Sequence, residues 1–276
     1  LASRVTTAEG NITTLTNRAF LQNPVRNASF QVWQRGTSIT ATAAYAYGPD
    51  GWIFFRNAFT LNATISLQTA SDSQGSAYCA RMQRTNATSS TDALYLVQSL
   101  ETVACTRFAG RQTTISFRTR KGANYSAANS YLQMLVISGT GTDQSVLSGF
   151  TSQSTISTAN YALTTSWQTF SVTLTPGASV TQFALEFIWS PVGTAGAADY
   201  CEIKDVRIDE GASALMHVPL LPFQDVAHCQ RFFVRFGGVN PYDFFGVGMI
   251  TSASEGSLAL PLPVTMRAVP SFTASS

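Results

Sequence analysis

Short segments of alternating apolar and polar residues recur through the middle of this chain, and this period-2 pattern most limits what it can fold into. In one clear case, Phe170, Val172 and Leu174 alternate with serine and threonine just before Pro176-Gly177. Successive side chains of a β-strand point to opposite faces of the sheet, so such a segment has one buried face. Repeated strands separated by turn residues predict an all-β fold.

The predicted strands number about nine, at the spacing typical of a β-sandwich. They are residues 28–33, 59–67, 78–82, 94–100, 113–119, 131–137, 170–174, 183–189 and 201–208. The apolar phase of the last segment is lost between Ile203 and Val206, which predicts a β-bulge near Lys204-Asp205. We therefore expect a jelly-roll β-sandwich over residues 23–212.

The segment from Arg26 to Trp52 is the predicted start of this sandwich. The alternation in residues 28–33 is interpreted as its first strand. Gly48-Pro49-Asp50-Gly51 is interpreted as a turn, because glycine reaches positive φ and proline fixes its own φ. The best partner for the first strand is the run from Asp199 to Asp209, and this pairing would close the domain.

Residues 1–22 carry a heptad pattern instead. Val5 and Ile12 take a positions and Ala8 and Leu15 take d positions, which is the spacing of a coiled-coil seam. The segment also contains a glycine and several threonines, and so short a helix is marginal alone. The alternative is an amphipathic helix packed on its own domain. β-Branched residues at a with leucine at d favour a dimer.

The composition excludes several classes of function. Only 12% of residues are charged, against about 25% in typical soluble proteins, and the net charge is +2. There is no Lys/Arg stripe, so we expect no nucleic-acid partner. No apolar run reaches the length of a membrane span, so we expect no membrane insertion. The chain starts at Leu1 without a signal-peptide pattern, and we expect it to be a piece of a longer polypeptide.

Residues 213–276 are predicted to form a linker and a small β-rich C-terminal unit. The prolines of residues 217–223 favour an extended linker, and residues 225–230 are compatible with one helical turn. Three strand-like runs follow, CQRFFVRF, DFFGVGMI and LALPLPVTM. So small a unit buries little surface on its own. We expect it to pack between subunits or to continue beyond Ser276.

Five segments in this order resemble a family of bacteriophage and prophage tail-fibre and receptor-binding proteins. They are NASFQVWQRGTS, YGPDGW, LTTSWQTFSVTL, ADYCEIKDVRIDEG and HCQRFFVR, and the resemblance covers about residues 23–235. It implies a jelly-roll domain similar to carbohydrate-binding modules. It also implies a homotrimer in the virion that contacts other tail or baseplate proteins and a bacterial surface polysaccharide. The implied trimer replaces the dimer that the heptad pattern alone favours.

Glycan binding by such a domain requires exposed aromatic side chains with polar partners. Trp33, Trp52 and Trp189 are expected in the core, because tryptophan is strongly buried on average. Trp167 lies outside the predicted buried rows. The predicted glycan-binding residues are Tyr45, Tyr47, Tyr125 and Tyr161, with Arg35, Asn124 and Asn160 as polar partners.

A structural calcium ion is implied by the same resemblance, because similar modules hold one near their first and last strands. Asn27 and Asp205 would supply hard oxygen ligands for it. The four cysteines, Cys79, Cys105, Cys201 and Cys229, show no metal-ligand spacing and are interpreted as small buried apolar residues.

No motif indicates catalysis. Glu186 and Asp205 are the pair to consider for a glycosidase, but the sequence contains no HExxH and no GxSxG. We expect a non-enzymatic protein. Three functions stay open: a trimeric fibre segment that adsorbs to a glycan, a structural fibre or adaptor segment, and a monomeric carbohydrate-binding module of a secreted glycoside hydrolase. The heptad pattern argues against the third.

Overall fold

The computed structural model describes residues 23–41, 45–56, 62–70, 72–237, 248–250, 252 and 255–272. The coiled-coil prediction for Val5, Ala8, Ile12 and Leu15 lies outside these residues and stays a prediction.

Two six-stranded antiparallel sheets form a β-sandwich, as the alternation predicts. In chain order the strands are β1 (Ser38–Thr40), β2 (Ala46–Tyr47), β3 (Ile53–Arg56), β4 (Ala63–Thr69), β5 (Tyr78–Arg84), β6 (Leu94–Ser99), β7 (Thr113–Lys121), β8 (Tyr131–Gly139), β9 (Ser154–Ala162), β10 (Gln168–Leu174), β11 (Gln182–Trp189) and β12 (Tyr200–Glu210). Sheet A has the order β1-β4-β5-β12-β7-β10, and sheet B has the order β2-β3-β6-β11-β8-β9. This architecture is consistent with a jelly roll.

The core lies between the two sheets and is rich in aromatic rings. Phe117 on β7 of sheet A contacts Phe187 on β11 of sheet B, with ring centroids 4.9 Å apart. Trp33, Trp52 and Trp189 are buried, as predicted. Truncating a fully buried phenylalanine typically costs about 3–5 kcal/mol, so these rings contribute strongly to the stability of the sandwich.

The strands from β4 to β8 and from β10 to β12 confirm the corresponding predictions. Strand β9 was not predicted, because its residues are mostly exposed and polar and do not alternate clearly. This strand lies at an edge of sheet B, where β8 is its one ladder partner in the described part of the sheet. The three short strands β1 to β3 were also missed.

The prediction of a first strand at residues 28–33 is wrong. Asn27 and Phe30 adopt left-handed backbone conformations, with φ of 47° and 52°. The Asn27 side chain donates a hydrogen bond from Nδ2 to the carbonyl of Val32 and accepts one from its amide, at 2.8 and 3.0 Å. The segment is therefore a compact loop. It resembles a strand in sequence because the loop is buried at apolar positions.

The predicted pairing of this segment with β12 is also wrong, because the ladder partners of β12 are β5 and β7. The loop instead contacts β12 at the predicted bulge, where the amide of Val206 donates to the carbonyl of Ala28 at 3.2 Å. The register shift between Lys204 and Arg207 and the left-handed φ of 56° at Asp205 confirm that bulge.

The helices are short. They are α1 (Thr102–Cys105) and α2 (Pro222–Gln230), so α2 is longer than the single predicted turn. In the part of the chain that the structure describes, no helix has the length and hydropathy that crossing a membrane requires. CQRFFVRF is not a strand as predicted, because its start completes α2, a hydrogen-bonded turn follows at Arg231-Phe232, and the residues after it pair in no ladder of the described chain. A hairpin of β13 (Gly248–Ile250) and β14 (Gly256–Leu258) follows.

Contacts with the sandwich hold the chain after β12 in place. Gln31 donates a hydrogen bond to the buried carboxylate of Asp225 on α2, at 2.9 Å. The guanidinium of Arg35 lies 3.3 Å from the ring centroid of Phe233, a cation–π geometry. The segment around α2 thus packs on its own sandwich, and the expectation that the C-terminal unit packs between subunits or continues beyond Ser276 stays a prediction.

Gly75 lets the loop before β5 approach the bulge closely, and its replacement by alanine tests this packing. Gly75 has a φ of +72°, and an added Cβ would lie 1.9 Å from Oδ2 of Asp205. We expect Gly75→Ala to lower the free energy of unfolding by about 2–4 kcal/mol in urea denaturation, since strain adds to the clash.

Gly193→Ala is the matched control. Gly193 has a φ of +63°, but no heavy atom lies within 4 Å of an added Cβ. The free energy of unfolding of this variant should fall only by the cost of placing alanine in the left-handed conformation, roughly 1–2 kcal/mol. Equal losses in the two variants would show that Asp205 moves away at no cost.

Candidate functional site

The outer face of sheet B carries aromatic and polar side chains on neighbouring strands. It is the reverse side of the strands whose inward residues form the core, and Phe55, Tyr95 and Leu135 on it pack against a second cluster separate from that core. We define the sheet B face by the residues Tyr45, Phe55, Tyr95, Gln133, Leu135, Asn160, Glu186 and Ile188.

The register of the ladders aligns five of these residues in a row across the sheet. Phe55 pairs with Tyr95, Tyr95 with Ile188, Ile188 with Gln133, and Gln133 with Asn160. Neighbouring strands are about 4.8 Å apart, so the row from Phe55 to Asn160 spans roughly 19 Å. It changes from aromatic at the β3 side to polar at the β9 side.

The aromatic part is a small set of contacting rings. Phe55 and Tyr95 are stacked, with centroids 4.7 Å apart and an angle of 2° between the planes. Tyr45 meets Phe55 edge to face at 4.8 Å and is 49% exposed. The result is an apolar surface with phenol groups at its margin.

The polar part contains one carboxylate and two amides. Gln133 donates a hydrogen bond from Nε2 to Oδ1 of Asn160 at 3.0 Å, which fixes both amides. Glu186 lies opposite Val97 and Leu135, and its carboxylate forms no hydrogen bond or ion pair with the residues that the structure describes. Burial raises the pKa of Glu186 above its ordinary value. The pKa of Tyr95 is also raised, mainly by burial and to a smaller extent by the negative charge of Glu186.

Four of the predicted glycan-binding residues lie on this side of the sandwich or at its edge. Tyr45 and Asn160 belong to the sheet B face. Tyr47 pairs with Ile53 at the β2 edge and is 48% exposed. Arg35 lies over the Tyr47 ring at 4.5 Å and forms an ion pair with Asp50 at 3.4 Å, so it is held at the same edge.

The remaining predicted residues are placed elsewhere. Tyr125 was expected in an exposed loop but is buried, because its ring packs 4.8 Å from that of Trp189 and its hydroxyl donates to the carbonyl of Tyr131. Tyr161 is partly buried against core rings, so its face is not a free platform. Asn124 is exposed and accepts a hydrogen bond from the amide of Ala198 at 3.0 Å, which supports a loop.

The residues predicted to bind calcium do not fit that ion. Oδ1 of Asn27 accepts a hydrogen bond from the amide of Val32. Asp205 is surrounded by positive groups, with Arg118 and Lys204 each 3.9 Å from its Oδ2. A hard cation requires several oxygen ligands without competing positive charge. Within the described ranges, no group of three or more His, Cys, Asp or Glu side chains could hold a metal ion.

The four cysteines are free and buried, as predicted. Burial raises the pKa of the Cys79 and Cys105 thiols to about 12, which leaves them protonated and unreactive at neutral pH.

No protein family model matches the chain, and no curated protein matches it. Similar solved structures include the enzymatically active domain of bacteriophage CBA120 tailspike protein 4, with 9% identity and a TM-score of 0.42 over 68% of this chain. That alignment covers 21% of the tailspike chain, so this chain spans about a fifth of its length.

Two carbohydrate-binding modules are also similar. A CBM4 module has 16% identity and a TM-score of 0.41, with 68% of this chain and 99% of that chain covered. TmCBM61 in complex with β-1,4-galactotriose has 11% identity and a TM-score of 0.39, with 69% and 99% covered. These likenesses are distant.

The raised pKa of Glu186 leads to a pH-dependent prediction. A carboxyl group with a raised folded pKa stabilises the protein below its unfolded pKa, and this contribution is lost as the pH rises through the folded pKa. We therefore expect Glu186→Gln to raise the Tm at pH 7 and to have little effect near pH 4. Calorimetry at both pH values measures the difference.

A gain for Glu186→Gln that is equal at pH 4 and pH 7 would contradict the role of burial.

Proposed function

We propose that the sheet B face binds a glycan without cleaving it, and that this chain is a tail-fibre segment that attaches a bacteriophage to a bacterial surface polysaccharide. The row from Phe55 to Asn160 carries the proposal. Sugar rings have apolar C–H faces and hydroxyl edges. The apolar surface that Tyr45, Phe55 and Tyr95 form together matches the first, while Glu186 and the two amides match the second, as acceptors and donors of hydrogen bonds.

Binding without cleavage follows from the carboxylates of this face. A glycosidase needs two carboxyl groups about 5–10 Å apart on either side of the scissile bond. Glu186 is the single carboxylate among the residues that define the sheet B face. Asp205, the other member of the pair considered from the sequence, lies on β12 of the opposite sheet.

The fibre assignment rests on different observations. The heptad positions Val5, Ala8, Ile12 and Leu15 favour oligomerisation, and the five sequence segments resemble tail-fibre proteins. A homotrimer would present three copies of the sheet B face. Linked sites can exceed single-site affinity by about 10²–10⁴, which suits a weakly held surface glycan. Other tail or baseplate proteins would be the partners in the virion.

A second candidate is a monomeric carbohydrate-binding module of a secreted hydrolase. The observation that favours it is that one chain supplies the whole row from Phe55 to Asn160. Both candidates share the glycan site, and they differ in their oligomeric state. A purely structural fibre segment is the third possibility, and it predicts no glycan binding.

Tyr95→Ala tests the glycan site. Loss of a central aromatic side chain typically costs more than 1 kcal/mol, so we expect at least about fivefold weaker binding on an array of bacterial surface polysaccharides and to whole cells. Tyr78→Ala is the matched control, because Tyr78 is 40% exposed but lies on sheet A. Unchanged binding by a folded Tyr95→Ala variant would exclude the sheet B face.

The oligomeric state separates the two candidates. Light scattering of the full chain should give about three times the chain mass of 29.6 kDa. A chain shortened to begin at Asn23 should lose or weaken this assembly, because it lacks the heptads. A single 29.6 kDa species for the full chain would reject the fibre trimer and favour the monomeric module.

A further inference from the structure

A second candidate site lies against sheet A, on the opposite side of the sandwich from the sheet B face. It is a cleft of about 490 Å³ whose lining includes Asp72, Arg118, Arg120, Thr165, Ser166 and Trp167. We call it the Trp167 cleft. Side chains alternate along β7, so an inward Phe117 places the side chains of Arg118 and Arg120 on the outer face of sheet A. Its volume falls within the range of small-molecule sites.

Positive charge exceeds negative charge around the Trp167 cleft. Asp72 is shared by Arg118 and Lys204, at 2.6 and 2.5 Å. Glu202 is shared in the same way by Arg81 and Arg120. Asp205 adds a third carboxylate, 3.9 Å from Arg118 and from Lys204. Four cationic side chains thus face three carboxylates, and the excess of one positive charge favours an anion.

Trp167 is the aromatic surface of the cleft. The Lys204 ammonium lies 4.9 Å from its ring centroid and the Arg120 guanidinium 5.0 Å, so two cations hold the half-buried indole in place. A positioned indole beside guanidinium groups provides an apolar surface and a binding site for negative charge at once.

Two donors at the cleft lack acceptors. Nε1 of Trp167 and Nε of Arg118 are buried and have no hydrogen-bond partner among the described residues. A buried donor without a partner costs about 1–3 kcal/mol, and an acceptor on a bound ligand or water would remove that cost. The hydroxyl groups of Thr165 and Ser166 at the same cleft add neutral donors and acceptors.

We propose that the Trp167 cleft is a second saccharide site, selective for a sugar that carries an anionic group. The carboxylate of a uronic acid or the phosphate of a phosphorylated sugar would meet Arg118 and Arg120. The sugar ring would pack against Trp167, and its hydroxyls would meet Thr165 and Ser166. Because the cleft and the sheet B face lie on different sheets, each can bind or fail independently of the other.

The test uses the full chain labelled with ¹⁵N and follows the indole N–H signal of Trp167 by NMR at low salt. The probes are methyl β-glucuronide, glucose 6-phosphate, methyl β-glucoside and inorganic phosphate. We expect saturable shifts with at least one anionic sugar, and the comparison of the two identifies carboxylate or phosphate as the preferred group. The neutral glucoside should bind roughly 10- to 100-fold more weakly, because it lacks the hydrogen bond between the anionic group and an arginine. The affinity of the anionic sugar should fall as salt is added.

Three outcomes would overturn the proposal. Equal responses to methyl β-glucuronide, glucose 6-phosphate and methyl β-glucoside, or no response of Trp167 to any probe, would exclude selective recognition of an anionic sugar. Inorganic phosphate that binds as tightly as glucose 6-phosphate, with no binding of the glucuronide, would show an adventitious ion only.

Variants separate the cleft from the sheet B face. Arg120→Gln should weaken the binding of the anionic sugar about tenfold or more and leave Tyr95-dependent glycan binding unchanged. Arg111→Gln, which removes an exposed arginine paired with Glu210, is the control and should change neither. If Arg120→Gln does not fold, Arg120→Lys keeps the charge opposite Glu202 but lacks the planar fork, and it carries the same test. Unchanged affinity in a folded Arg120 variant would exclude the cleft.

Discussion

The contact between Phe117 and Phe187 across the core determines what both outer faces of the sandwich can present. Because strand residues alternate, an inward Phe187 turns Glu186 and Ile188 outward on sheet B, and an inward Phe117 turns Arg118 outward on sheet A. A slip of one residue in either strand would exchange core and surface. The aromatic core therefore positions the sheet B face and the Trp167 cleft as well as stabilising the fold.

The sequence predicted most strands because the inward residues of the central strands are strongly apolar, as in β11. The strand predictions were wrong where the pattern of buried residues did not come from a strand. Residues 28–33 alternate like a strand, yet Asn27 and Phe30 take left-handed conformations that only the folded loop reveals. The opposite error affected β9, an edge strand whose polar residues give no periodic signal.

The candidate site was predicted only in part. Tyr45 and Asn160 were chosen as exposed polar or aromatic residues, and the structure places both on the sheet B face. Tyr95 was overlooked because β6 is apolar on both faces, which is equally compatible with a covered strand and with a binding face. Only the ladder register shows that Tyr95 lies beside Phe55 and two strands from Gln133. Tyr125 was misjudged because a backbone carbonyl satisfies its hydroxyl inside the core.

The position of Arg35 has a mechanical consequence. Its guanidinium lies 4.5 Å from the ring centroid of Tyr47 and 3.3 Å from that of Phe233, so one side chain joins the β2 edge of sheet B to the segment after α2. Cation–π contacts and the hydrogen bond from Gln34 to the carbonyl of Phe233 hold that segment at this point. Tension along the C-terminal segment would therefore pass in part through Arg35 to the β2 edge of sheet B.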